Sequence, residues 1–186
     1  MTTRLTVVAG PTAVGKGTVV RDLCSRYGGV WVSCSATTRP PRPGEVDGEH
    51  YSFVSEEEFD DLIARNQMLE WATVHGRYRY GTPRRPVEAR LEQGIAVLLE
   101  IDLDGARQIR NTMPTARLVF LAPPSQAELE RRLLGRGTED EAERARRLET
   151  ARAEMAAIGE FSAVIVNDDV TAAADQLAHL MGLSRL

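Results

Sequence analysis

An α/β fold built on a parallel sheet is what this 186-residue sequence predicts, on three observations. Apolar runs of strand length alternate with helix-compatible stretches along most of the chain. One run, Ile95-Ala96-Val97-Leu98-Leu99, is apolar at every position, as a strand covered on both faces must be. The first run feeds a glycine-bounded loop that opens a helix, which is the layout of a phosphate-binding P-loop.

Taken in order, Leu5-Thr6-Val7-Val8-Ala9 is the first strand. The loop Gly10-Pro11-Thr12-Ala13-Val14-Gly15-Lys16-Gly17-Thr18 follows, with a helix over 18–26. Its glycines let successive backbone N–H groups point inward at phosphate oxygens, and the helix adds its positive end. Lys16 brings a mobile full charge. The residue after such a lysine is normally Ser or Thr, whose hydroxyl ligates Mg²⁺; here it is Gly17, with Thr18 one place late. Mg²⁺ is therefore expected to be held mainly through water and nucleotide oxygens. Further strands are expected over 30–34, 95–101, 117–121 and 163–166, and helices over 105–113, 125–134, 139–158 and 171–181. Ser55-Glu56-Glu57-Glu58 and Ser125-Gln126-Ala127-Glu128 have capping-box form. Two stretches break the rhythm: 35–92, read as an insert of short strands with one helix, and Gly135-Arg136-Gly137-Thr138, read as a movable flap between two charged helices.

Composition narrows the class. With 42% hydrophobic residues the chain is long enough for one core domain, with the small inserts noted. A net charge of −4 without a basic stripe argues against nucleic-acid partners and anionic membranes. No apolar run approaches the roughly 20 residues that cross a bilayer. Met1-Thr2-Thr3-Arg4 runs straight into a strand, so no signal peptide is expected and the cytoplasm is the expected location. Cys24 and Cys34 match no CxxC or disulfide framework and read as reduced, buried residues, with a disulfide as the lesser alternative. His50, His75 and His179 form no metal pattern.

Sites in open α/β sheets lie beyond the strands' C-terminal ends. Glu100-Ile101-Asp102 is at such an end, and period two puts both carboxylates on one side, suited to a hydrated metal or to ligand N–H groups. Arg39 and Arg42 frame a proline-rich turn, and paired arginines suit a phosphate monoester; Tyr51 and Tyr80 add hydroxyl donors. Arg132 and Arg136 share a helix face, Arg147 follows on the next helix, and the three suit closure over phosphates. The plainer alternative is a set of solvated surface pairs in a Glu/Arg-rich stretch.

On these residues the chain resembles guanylate kinases along nearly its whole length. The landmarks are Gly10-Pro11-Thr12 with Gly15-Lys16, Ser35 with Thr38-Arg39-Pro40-Pro41-Arg42-Pro43-Gly44-Glu45, Gly48-Glu49-His50-Tyr51, Leu69-Glu70-Trp71, Tyr80-Gly81-Thr82, Glu100-Ile101-Asp102, Gly135-Arg136-Gly137-Thr138 and Val166-Asn167-Asp168-Asp169. The resemblance implies a P-loop three-layer sandwich with a parallel core over 1–34, 93–125 and 159–186, a mixed α/β GMP-binding insert over 35–92, and a helical lid over about 126–158. It implies transfer of a phosphoryl group from ATP to GMP, with Mg²⁺ as the metal. Residues 10–18 with Arg132, Arg136 and Asn167 would bind ATP. Ser35, Glu70, Thr82 and Asp102 would contact guanine; Arg39, Arg42, Tyr51 and Tyr80 would contact its phosphate. Lys16, Arg39, Arg136 and Arg147 would carry catalysis, and Glu100 would hold Mg²⁺ through water.

Three departures stand out: Ala13 in place of a glycine, Gly17 in place of Ser or Thr, and an extra residue around Arg77 to Arg79 that complicates the choice of phosphate-contacting tyrosine. Gly-Lys-Gly-Thr is also the loop of adenylate kinases, which is compatible with activity. The competing functions are a non-catalytic guanylate kinase-like module that binds phosphorylated proteins, and a kinase with another phosphorylated acceptor. Assembly state is left open.

Overall fold

The computed structural model describes residues 4–74, 77–134 and 141–186, with backbone alone at 134 and 141–147. Strand β1 (Leu5–Ala9) runs into helix α1 (Lys16–Arg26), and β2 (Val30–Val32) follows. The next stretch holds β3 (Ala36–Thr37), β4 (Ser52–Phe53), α2 (Glu56–Ala64), β5 (Met68–Val74), β6 (Tyr78–Pro83) and α3 (Arg84–Glu92). The chain continues through β7 (Ala96–Glu100), α4 (Leu103–Thr112), β8 (Arg117–Ala122), α5 (Gln126–Leu134) and α6 (Glu141–Ala156). A 3₁₀ turn (Ala157–Glu160), β9 (Ala163–Val166) and α7 (Val170–Met181) complete it.

The main sheet has the order β2-β7-β1-β8-β9, and each of its pairings is parallel. Val7 of β1 stands opposite Leu99 of β7 and Leu118 of β8. Alternation along β1 sends Val8 to one face and Leu5, Val7 and Ala9 to the other. The Val8 face packs against α1 and α7 through Leu23, Ala174 and Leu177. The opposite face packs against α3, α4 and β5 through Val87, Ile109 and Leu69. Apolar groups on both faces of the strands thus produce three layers, as the all-apolar runs require. A buried leucine or valine of this kind stabilises the fold by about 1.5–3 kcal/mol.

A second sheet, β4-β3-β6-β5, occupies the 35–92 stretch, with a β5–β6 hairpin longer than the short strands expected there. Phe59 of α2, fully buried with Ala36 and Met68, is its core. The Ser55 capping box forms in full: Glu58 N–H donates to Ser55 Oγ at 3.1 Å, and Ser55 N–H to Glu58 Oε2 at 2.7 Å. At Ser125 the hydroxyl accepts from Glu128 N–H at 3.1 Å, while the Glu128 carboxylate turns to Arg131 and Arg132.

Helix α3 corrects the expectation of one helix in this stretch. Pro86 sits in the first turn of α3, where a missing N–H has no helical partner to lose. The cysteines are free, as expected, but their burial needs correcting: Cys34 is half-buried and Cys24 is exposed, because Val20 and Leu23 take the inner side of α1. Among the described residues, no helix is long and apolar enough to cross a membrane.

Candidate active site

The loop between β1 and α1 is held in a tight wrap. A Cβ at Gly10 would stand 2.2 Å from the Leu121 carbonyl oxygen, so only glycine lets the loop leave β1 beside β8. Lys16 folds back over the loop and donates to Gly10 O at 2.7 Å and Pro11 O at 3.4 Å. Burial pulls the Lys16 pKa down, and the nearby carboxylates of Glu154, Glu100 and Asp102 oppose that. Asn167, buried at the end of β9, braces the loop from beneath by donating from Nδ2 to Val14 O at 2.8 Å. Arg132 of α5 reaches the same carbonyl at 3.3 Å and Asn167 O at 3.3 Å.

Ala13 takes the left-handed conformation that its sequence position suggested for glycine, with φ 66°. Its methyl packs on the Leu129, Leu133 and Ala151 cluster between α5 and α6. That contact offsets the backbone strain and gives the departure from glycine a physical reason.

Two hollows meet in front of this loop. The larger, of about 980 Å³, is lined by Lys16, Gly17, Thr18, Arg132, Ser35, Tyr51 and Glu100 among others. The smaller, of about 280 Å³, is lined by Glu70, Tyr80, Asp102 and again Lys16, Ser35, Tyr51 and Glu100. The four shared residues make one continuous cleft between the main sheet and the β4-β3-β6-β5 sheet.

Glu70 is the buried carboxylate of its far wall, 5% exposed. Burial, and to a lesser degree Asp102, pushes its pKa up to about 7 against the Thr82 hydroxyl, which donates to Oε1 at 2.6 Å. Gly105 makes room for it, since a Cβ there would stand 2.7 Å from Glu70 Oε2. Asp102 caps α4, accepting from Gly105 N–H at 2.7 Å.

Arg39 is 7% exposed and held on several sides. Its Nε–H donates to Tyr80 Oη at 3.0 Å, and its guanidinium lies over the rings of Tyr51 and Phe53. Glu45 takes it bidentately, at 3.0 and 2.9 Å. These bonds and the Arg42 N–H hold the Glu45 pKa down to about 2. Tyr80 packs edge-on to Tyr51, whereas Arg79, one residue earlier and on the other strand face, turns away to Asp60 and Glu56 of α2. The structure therefore puts Tyr80 in the cleft. Arg42 is exposed, and among the described residues its backbone N–H, not its guanidinium, is engaged, with Glu45.

Most of the expected residues converge on the cleft. Arg136 and the side chain of Arg147 lie outside the described residues. Asn167 sits under the loop instead of on the cleft wall. Glu45, Gly105 and Glu154 were not expected in the site. Glu154 of α6 accepts the Thr12 N–H at 3.2 Å, a contact across 142 residues that no local pattern signals.

The donor set suits a hard cation held at a distance. Among the described residues no three metal-ligating side chains gather, and Glu100 is the carboxylate that lies against Gly17, with Lys16 nearby. A Cβ at Gly17 would be 3.4 Å from Glu100 Oε1, so a hydroxyl there would lie against that carboxylate. Glu100 with water and phosphate oxygens fits Mg²⁺, which keeps several of its waters.

Comparison with known proteins gives the family. The family model described as guanylate kinase matches residues 2–183. The guanylate kinase of Leifsonia xyli subsp. xyli is 59% identical over 177 residues, covering 95% of this chain and 70% of the relative. That of Thermobifida fusca is 59% identical over 178 residues, covering 96% and 90%. The crystal structure of guanylate kinase from Anaplasma phagocytophilum superposes with a TM-score of 0.77 at 32% identity, covering 96% of this chain and 84% of that one. A family model matched over residues 2–183, together with relatives 59% identical over 95% and 96% of the chain, settles the kinship: the protein belongs to the guanylate kinase family.

Proposed function

We propose that this chain transfers the γ-phosphoryl group of ATP to GMP, giving ADP and GDP, in the cytoplasm. The observation that carries this is the buried Glu70–Thr82 pair, on a wall continuous with the Lys16 loop. Guanine offers N1–H and an N2 amino group as donors, and an ionised Glu70 accepts both. Adenine would face Glu70 with a lone pair at N1. An unpaired buried polar group of that kind discriminates by roughly 10⁴-fold or more. The Thr82 proton is already committed to Glu70, so Ser35 is the hydroxyl left to donate to guanine O6.

In this reading Arg39, Arg42, Tyr51 and Tyr80 hold the acceptor phosphate, and residues 10–18 with Arg132 and Arg136 hold ATP. Asn167 acts by bracing the loop. Asp102 orients the guanine side as the cap of α4. An oxygen of the acceptor phosphate forms the new bond to the γ-phosphorus as the bond to the β-phosphate oxygen breaks, in line. Lys16, Arg39, Arg136 and Arg147 meet the charge that develops on the transferring group. Glu100 would hold hydrated Mg²⁺, which supplies further neutralisation of the ATP phosphates when bound.

The deciding experiment offers ATP and Mg²⁺ with GMP, AMP or UMP and measures the diphosphate formed. GDP is expected, with AMP and UMP poor acceptors. No turnover with any acceptor points to the phosphoprotein-binding module instead; a preference for another acceptor points to the related kinase.

A further inference from the structure

We propose that Glu45 is the positioning residue of the acceptor-phosphate site: one carboxylate that fixes both arginines of the proline-rich turn. The inference rests on the reading that Arg39 holds the acceptor's phosphate.

The guanidinium of Arg39 has five N–H groups. Nε–H goes to Tyr80 Oη at 3.0 Å, and Nη1 serves Pro40 O at 2.8 Å and Glu45 Oε2 at 3.0 Å. One hydrogen of Nη2 goes to Glu45 Oε1 at 2.9 Å. Among the described residues, that leaves one Nη2–H uncommitted. Arg39 therefore cannot take a phosphate bidentately while Glu45 is in place. It presents a single donor whose direction Glu45 sets.

The same carboxylate also organises Arg42. Glu45 Oε2 accepts the Arg42 backbone N–H at 2.7 Å, and Glu45 N–H donates back to Arg42 O at 3.0 Å. This closes the turn from 42 to 45 and fixes where the exposed Arg42 side chain leaves the backbone. An arginine ordered before its ligand arrives loses less rotamer freedom on binding. The length of glutamate matters, because its carboxylate spans from the turn to a guanidinium six residues back.

The test is steady-state kinetics of E45A and E45Q, with guanosine as a competitive inhibitor that lacks the phosphate. E45A should raise the KM for GMP by roughly ten- to a hundredfold, the worth of a hydrogen bond to a charged group. The KM for ATP and the inhibition constant of guanosine should stay at their parental values. E45Q keeps one acceptor oxygen and should fall between E45A and the parent. A parental KM for GMP in both variants, or guanosine binding lost in parallel with GMP, overturns the proposal, the second outcome marking a merely structural role. R39K separates the two layers of the argument. If R39K leaves the GMP KM unchanged, Arg39 is not on the phosphate and the underlying reading falls. If R39K raises it while E45A does not, the Glu45 inference alone falls.

Discussion

The Thr82 hydroxyl and the Glu70 carboxylate are joined by a 2.6 Å hydrogen bond inside a wall that water barely reaches. That bond favours the ionised form, burial disfavours it more, and the net result is a pKa near 7. A group that must be ionised to accept guanine thus titrates within the working range of most enzymes.

Acceptor binding should therefore weaken on acidification. Below about pH 7 the KM for GMP should rise by up to about tenfold per pH unit, with the KM for ATP nearly flat. Glu70→Gln should bind GMP poorly at every pH and lose this slope. The fold moves the other way: a carboxyl raised on folding takes up a proton, so falling pH from 7 toward the unfolded value stabilises the chain through this group. A thermal melt run alongside the kinetics separates the two effects.

Gly105→Ala tests the space behind Glu70. The new Cβ would stand 2.7 Å from Glu70 Oε2, the end of a side chain that can move, so the fold should survive. Alanine in a helix is favoured over glycine by up to about 1 kcal/mol, so the melting temperature should hold or rise. The KM for GMP should rise at least about tenfold as Glu70 loses its place, the worth of one hydrogen bond to a charged group. An unchanged GMP KM would remove Gly105 from the site.

Gly17→Ser should return a hydroxyl to the loop beside Glu100, with the Cβ at an ordinary contact distance of 3.4 Å. The Mg²⁺ concentration giving half-maximal turnover should fall, while the melting temperature stays put. A Mg²⁺ titration with the same half-point in both proteins would show that Glu100 and water already do all that the hydroxyl would.

Ala13→Gly should be almost silent in stability. Glycine holds the same left-handed backbone without the roughly 1–2 kcal/mol of strain that an alanine carries there. Against this stand the extra freedom of an unfolded glycine, about 0.4–1 kcal/mol, and a lost methyl contact with the α5–α6 cluster, about 0.8 kcal/mol. Denaturant unfolding should place the variant within about 1 kcal/mol of the parent.

How much of this was legible beforehand depended on whether the cause was local. The core strands were readable because β1, β7 and β8 carry apolar groups on both faces, a pattern contained in each segment alone. The P-loop was readable for the same reason. Helix α3 was not, because whether Pro86 breaks or begins a helix depends on where the first turn starts. Glu45 was visible as a letter but not as a partner; its role appears only when the turn brings it under Arg39. Glu154 reaches Thr12 through packing of α6 that no spacing rule encodes.

The position of β1 has a consequence for how the molecule comes into being. It leaves the ribosome well before its partners, which begin at residues 96 and 117. A greasy ribbon must wait, unpaired, for about a hundred later residues to emerge before it can slot between them. Closing so long a span makes assembly slow and leaves the nascent chain open to aggregation in the meantime. The phosphate cradle at its tip is therefore a late product of synthesis, shaped only once the C-terminal half has arrived.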